Sequence, residues 1–343
     1  MKLTATRFCS ADAIHAKNEG YPEEILMKRI ISIFVSLLIL LCTLASCSGK
    51  TEEQHKLSIV CTTFPQYDFL KNILGSDEGL TLLIDDGADL HSFEPTAQDI
   101  IKIGSADLFV YIGGNSDRWV ESALKSANNP ALKTLALMDT VDTLEEEYVA
   151  GMEHEEEEHL EAHSGSHAEE DEHIWLSVRN AEKMTSALCD AVCGIDPENS
   201  EKYKANADSY SAKLSELDRN FSAAVDGAKR KTLLFADRFP FRYLTEDYGL
   251  SYYAAFAGCS SESEASFKTM AFLIDKTKEL SLPVVLTIDG SDGSIAKTVC
   301  EATGAKTAEL NSCQSVTAKD IENGVNYLDI MKNNFEVILE ALN

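Results

Sequence analysis

Positive charge is what this chain has least of: 30 lysines and arginines stand against 57 aspartates and glutamates, a formal net charge of −27 over 343 residues. Nucleic-acid recognition rests on neutralising phosphates with a basic patch, so this deficit excludes nucleic acid as a partner and makes cations the natural one. The cysteines form no CxxC pair of the kind that marks a structural metal site, and a chain of this size does not need a disulfide framework. Cys189 and Cys193, four apart on a predicted helix, read as packing residues. The catalytic motifs HExxH and GxSxG are both absent, which removes the commonest signatures of a zinc hydrolase and a serine hydrolase. No apolar run is long enough for a spanning helix.

The longest apolar run, Ile30 to Leu41, follows the basic Met27-Lys28-Arg29 and precedes Leu44-Ala45-Ser46-Cys47. Short hydrophobic length and small residues before a cysteine are the marks of a signal peptide. This stretch resembles a bacterial lipoprotein signal, which implies cleavage before Cys47 and lipid attachment to its thiol. Residues 27–46 are therefore expected to be the signal, 47–56 a polar tether, and residues 1–26, which fit no targeting pattern, a segment upstream of the true start at Met27.

What the chain has in excess lies between Met152 and Leu176. Five of its eight histidines (His154, His159, His163, His167 and His173) sit there among carboxylates, and no lysine or arginine occurs from Glu145 to His173. Imidazole and carboxylate are ligands for borderline divalent metals, so residues 144–172 read as an acidic, histidine-rich loop able to capture zinc. His159, His163 and His167 would share a helical face, although Gly165 and its serines work against a lasting helix. At His173 the composition changes to Ile-Trp-Leu, where a loop meets a packed core; a rigid ligand needs such support.

The remainder alternates strand and helix. Strands are expected at Leu57–Thr62, Leu80–Ile84 and Leu108–Ile112, then at Thr232–Phe235, Tyr252–Phe256, Val284–Ile288 and Lys306–Leu310, with helices between them and a last helix over Lys319–Leu342. Short apolar strands separated by helices predict parallel sheets covered on both faces. Asp196-Pro197 opens a run without glycine or proline up to Gly227. In it Tyr203, Ala207, Tyr210, Leu214, Leu217, Phe221 and Ala224 recur at helical spacing. The chain is thus expected to be α/β: an N-terminal lobe over 57–195, a long rigid helix over 196–230 and a C-terminal lobe over 231–343, with a metal cleft between the lobes.

Ligands of parallel sheets bind beyond the carboxyl ends of strands. Four groups fall at or near such positions: His91, His173, Asp237 and Asp289. Two histidines and two carboxylates suit Zn2+, with Mn2+ as the alternative. Each also has a plain structural role open to it, as a helix cap, a turn residue or, for Asp237, a partner of Arg238 or Arg242.

The stretches Gly87-Ala88-Asp89-Leu90-His91-Ser92-Phe93-Glu94-Pro95-Thr96 and His173-Ile174-Trp175-Leu176-Ser177, with Asp196-Pro197 opening the long helix, resemble the metal-specific solute-binding proteins of zinc and manganese ABC importers. The acidic histidine-rich insertion is similar to that of the zinc branch. The resemblance implies two lobes joined by a long helix, and metal ligands at His91 and His173. It does not supply the C-lobe ligands: Ala236 stands where the family usually has histidine or glutamate, and Asn311 where it has aspartate. Asp237 and Asp289 are the expected replacements, with Glu264, Cys313 or a loop histidine as further candidates.

Taken together, these features predict an extracytoplasmic, monomeric zinc receptor, anchored to the lipid bilayer through Cys47, that delivers metal to the membrane subunits of an ABC permease; it is not expected to be an enzyme. His154, His159, His163 and His167 would raise the local metal concentration. Two readings from other classes stand beside it: a zinc-dependent hydrolase using metal-bound water, and a surface adhesin or metal buffer whose working part is the loop.

Overall fold

Successive residues of the central strands enter different cores. Ile59 and Cys61 belong to one hydrophobic cluster and Val60 to another; Leu108 and Val110 separate likewise from Phe109, and Leu233 and Phe235 from Leu234 and Ala236. Such period-two sorting into apolar surroundings on both sides is what a parallel sheet covered by helices requires. In this computed structural model, residues 27–36, 56–85, 88–153, 169–260, 264–314 and 316–343 are described. Residues 1–55 and Lys56–Asn343 are separate units. In the first, residues 27–36 are helical and exposed. Among the described residues, no helix is long and apolar enough to cross a membrane. Cys47, Asp86 and Gly87 lie outside the described residues.

In Lys56–Asn343, β1 (Ile59–Cys61), β2 (Leu80–Leu82), β3 (Leu108–Tyr111) and β4 (Lys133–Ala136) form a parallel sheet in the order β2-β1-β3-β4. Its helices are α1 (Phe64–Leu74), α2 (Ala97–Gly104), α3 (Val120–Ala127) and α4 (Val178–Ile195). The second sheet repeats the pattern, with β5 (Thr232–Phe239), β6 (Ser251–Ala257), β7 (Val284–Ile288) and β8 (Lys306–Leu310) in the parallel order β6-β5-β7-β8.

Between the sheets runs α5 (Ser200–Gly227), 28 residues and so about 42 Å long at 1.5 Å per residue. It starts later than expected, because a 3-10 turn over Pro197–Asn199 precedes it and the Asp196 carboxylate accepts from Tyr203 Oη at 2.6 Å. Its buried stripe is Tyr203, Ala207, Tyr210, Leu214, Leu217, Phe221 and Val225. Val225, not Ala224, closes the stripe, since one further step of four continues the 3.6-residue period. α5 packs on α1 and α4 from the first lobe. From the second it meets α6 (Arg242–Tyr248) and α10 (Tyr327–Leu342). α7 (Phe267–Glu279) and α8 (Ser294–Thr303) cover the outer face of the second sheet, and α9 (Ala318–Glu322) is separated from α10 at Gly324, where one continuous helix was expected.

One buried carboxyl ties three of these helices together. Asp68 of α1 accepts from Tyr210 Oη of α5 at 3.1 Å and from the Tyr327 backbone N–H of α10 at 3.3 Å. Burial pushes its pKa up to about 6, against those hydrogen bonds. Between about pH 4 and pH 6 the folded chain thus holds more protons than the unfolded one, so this group's contribution to stability falls as pH rises through that window. The loss amounts to on the order of 2–3 kcal/mol. Asp68→Asn, which cannot ionise, is expected to flatten the fall, read from urea midpoints across the window; an unchanged slope would leave the shift at Asp68 without consequence.

Candidate metal centre

Both histidines singled out by the sequence are carried on short 3-10 turns. Asp89 caps the turn Leu90–Ser92 by accepting from His91 N at 2.8 Å, while Leu90 is buried beneath it. His173 starts the turn Ile174–Leu176, whose three residues are all buried. Trp175 Nε1 donates to Ser312 O of the second lobe at 2.8 Å, and Tyr327 Oη donates to Trp175 O at 2.5 Å. His173 is thereby fixed on both lobes.

The two rings face one another, with Nε2 of His91 3.3 Å from Nε2 of His173. On the far side of each ring a carboxylate sets the tautomer. His173 Nδ1 lies 3.0 Å from Asp171 Oδ1, which also accepts from His173 N at 2.8 Å. His91 Nδ1 lies 2.8 Å from Ser116 Oγ, whose hydroxyl donates to Glu172 Oε2. Glu172 is held in turn by Ser116 N at 2.8 Å, and Gly114 is required beside it, because a Cβ there would lie 2.5 Å from Glu172 Oε1 and the backbone φ is +80°. Each Nδ1 therefore keeps the ring hydrogen, and each Nε2 presents a lone pair to the other. Two lone pairs at that separation repel unless a cation lies between them. Two metal–nitrogen arms of about 2.05 Å meeting at the tetrahedral angle span about 3.3 Å, so the spacing fits zinc. Burial, then the neighbouring His173, lowers the pKa of His91 to about 4, which keeps it unprotonated at neutral pH.

Cys259 completes the group. Its sulfur and the two imidazoles offer ligand atoms all within 4.8 Å of one another. It follows Gly258 at the carboxyl end of β6, where a Cβ would lie 3.2 Å from His173 Cε1 and 2.9 Å from Phe239 O; glycine lets the two backbones close. Burial, then the carboxylates of Glu146, Asp171 and Glu172, pushes the thiol pKa up. Cys259 lies just after a strand, the kind of position expected for Asp237 and Asp289, but the sequence does not single it out from the other cysteines.

The structure does not bring Asp237 and Asp289 into this group. β5 runs on past Ala236 through a register shift between Phe235 and Arg238, so Asp237 lies inside the strand. Its Oδ1 accepts from Arg238 N at 2.8 Å and its Oδ2 from Ile288 N at 3.4 Å. Asp289 Oδ1 accepts from Ser312 N at 2.5 Å. Asp237 still lines, with Asp89, His91, Arg238 and Cys259, a cavity of about 510 Å³. The bulge turns Arg238 toward Asp89 of the opposite lobe, with Nη1 3.0 Å from Oδ2. Burial opposes the Asp89 carboxylate, yet Arg238 and the His91 N–H hold its pKa below the ordinary range. Asn311 accepts from Cys313 N in a turn, Cys313 is buried elsewhere, and Glu264 is exposed. His154, His159, His163 and His167 lie outside the described residues.

Two α/β lobes bridged by one long helix, with imidazoles from two turns meeting where the lobes face each other, define a two-lobed binding protein of the solute-receptor class. The chain belongs to the ZnuA family, described as zinc-uptake complex component A, periplasmic, whose sequence model matches residues 59–341. It is 33% identical over 307 residues to the high-affinity zinc uptake system protein ZnuA of Bacillus subtilis, covering 89% of this chain and 94% of that one. It is 32% identical over 315 residues to the zinc-binding lipoprotein AdcA of Streptococcus pneumoniae, covering 92% of this chain and 61% of that protein, so it spans about three-fifths of the length of that relative. Among solved structures, the Zn(II)-bound ZnuA-like domain of Streptococcus pneumoniae AdcA superposes with a TM-score of 0.69 at 29% identity, over 84% of this chain and 99% of that one.

Proposed function

We propose that this protein is an extracytoplasmic receptor that captures Zn2+ between its lobes and hands it to the membrane subunits of an ABC permease. The observation that carries this reading is the pair of facing Nε2 atoms 3.3 Å apart, each ring anchored through its other nitrogen. Membership of a zinc-uptake family and the zinc-binding relatives support it. In this reading Cys47 carries the lipid anchor, the receptor works as a monomer, and residues 57–195 and 231–343 act as two lobes on the 196–230 helix. The histidines of the 154–167 stretch deliver ions to the cleft without forming the tight site.

Deleting residues 152–170 separates a receptor from a metal buffer. Isothermal titration of the chain from Lys50 onward is expected to retain one tight zinc equivalent after the deletion and to lose only weak binding. Loss of the tight equivalent would place the working site in the loop and overturn the proposal.

A further inference from the structure

We propose that the Cys259 sulfur is the third protein ligand of the zinc site, and that this sulfur sets a preference for zinc over manganese. The inference rests on the receptor reading and deepens it. Two imidazoles serve either metal, so they do not discriminate; a thiolate does, because manganese favours oxygen ligands whereas zinc takes sulfur at about 2.3 Å.

Three observations converge on this sulfur. Its ligand atom lies within 4.8 Å of ligand atoms on both histidines, and this is the one such group of three among the described residues. No carboxylate joins that group: Asp171 is bonded to His173, Glu172 to Ser116 and Asp237 to the backbone of Arg238 and Ile288, and Asp289, whose Oδ2 has no hydrogen-bond partner, lies outside it. The Cys259 backbone is also held in place, its N–H donating to Glu146 Oε1 at 3.0 Å while Gly258 closes against His173. Cys259 further lines two cavities that reach His91, one of about 510 Å³ and another of about 250 Å³ edged by Ser116, Glu169, Glu170 and Glu172. A cation entering from either side meets the sulfur. On capture the S–H bond breaks, the sulfur lone pair bonds the metal, and the proton leaves to solvent.

The test uses the chain from Lys50 onward, which contains the whole Lys56–Asn343 unit, with Co2+ as the optical probe. Wild type is expected to show a near-ultraviolet sulfur-to-cobalt charge-transfer band that Cys259→Ser lacks. The ratio of zinc to manganese affinity is expected to fall by at least the roughly 10–100-fold that loss of a ligand's outer partner costs. A measurement without substitution keeps the test decisive should Cys259→Ser misfold: one equivalent of Zn2+, but not Mn2+, shields Cys259 from iodoacetamide, read by peptide mass spectrometry. A band absent from wild type or retained in Cys259→Ser, or equal labelling of Cys259 with and without zinc, would overturn the inference. Tight zinc binding with those negative results sinks the sulfur assignment alone, whereas absence of any tight zinc site sinks the receptor reading.

Discussion

His91→Ala lowers zinc affinity by about 1,000-fold or more, a loss of about 4 kcal/mol, and leaves the fold as stable as before. The ring is partly accessible, with a side-chain exposure of 17%, and Ser116 and Glu172 remain bonded to each other when it is removed. What disappears is one of two imidazoles whose lone pairs meet at 3.3 Å, and no carboxylate is part of the group of ligand atoms they form among the described residues. His173→Ala gives a loss of the same order with an added cost, because His173 is wholly buried and its removal leaves the buried Asp171 carboxylate without the ring N–H, with only the backbone N–H of residue 173 beside it. The contrast is diagnostic: both variants lose zinc, and only His173→Ala also loses stability. Competition against a chelating dye, together with denaturant midpoints, measures the two effects separately. Retention of affinity within about tenfold in His91→Ala would show that this ring is no ligand.

The largest effect on stability is expected at Trp175. Trp175 is 1% exposed, and its indole is tilted by 60° to the His173 ring with ring centroids 5.4 Å apart. Trp175→Ala opens a cavity in the core shared by both lobes and leaves the Ser312 carbonyl without its donor. Truncations of this kind cost about 3–5 kcal/mol. The turn that aims His173 loses its anchor as well, so zinc affinity should fall in parallel. Trp175→Phe keeps most of the volume and forfeits only the N–H, for a loss of about 1–3 kcal/mol. Guanidinium midpoints order the three proteins; an alanine variant as stable as wild type would mean that the lobes are not joined through this ring.

Much of the architecture is written locally. The parallel strands, the covering helices and the seven-residue stripe of α5 all follow from periods of 2 and 3.6. Four features escaped for physical reasons. β4, Lys133-Thr134-Leu135-Ala136, is an edge strand paired on one side and half exposed, so it carries little apolar signal. β5 continues through a register shift that no pattern of residue types announces, which is why Asp237 was expected beyond the strand rather than within it. The last helix divides at Gly324, a break that the apolar period on both sides conceals. Cys259 meets His173 across 85 intervening positions, through the packing of one lobe on the other, and a thiol looks the same in sequence whether it fills space or faces an imidazole. His91 and His173 stood out because each lies where a distinctive run meets the core.

The account depends most on where the ion sits, and anomalous diffraction at the zinc edge from crystals of the loaded protein locates it directly. The expected result is one strong peak about 2.0–2.1 Å from Nε2 of both His91 and His173. A peak elsewhere, or these two rings turned away from a zinc held only by other groups, would contradict it.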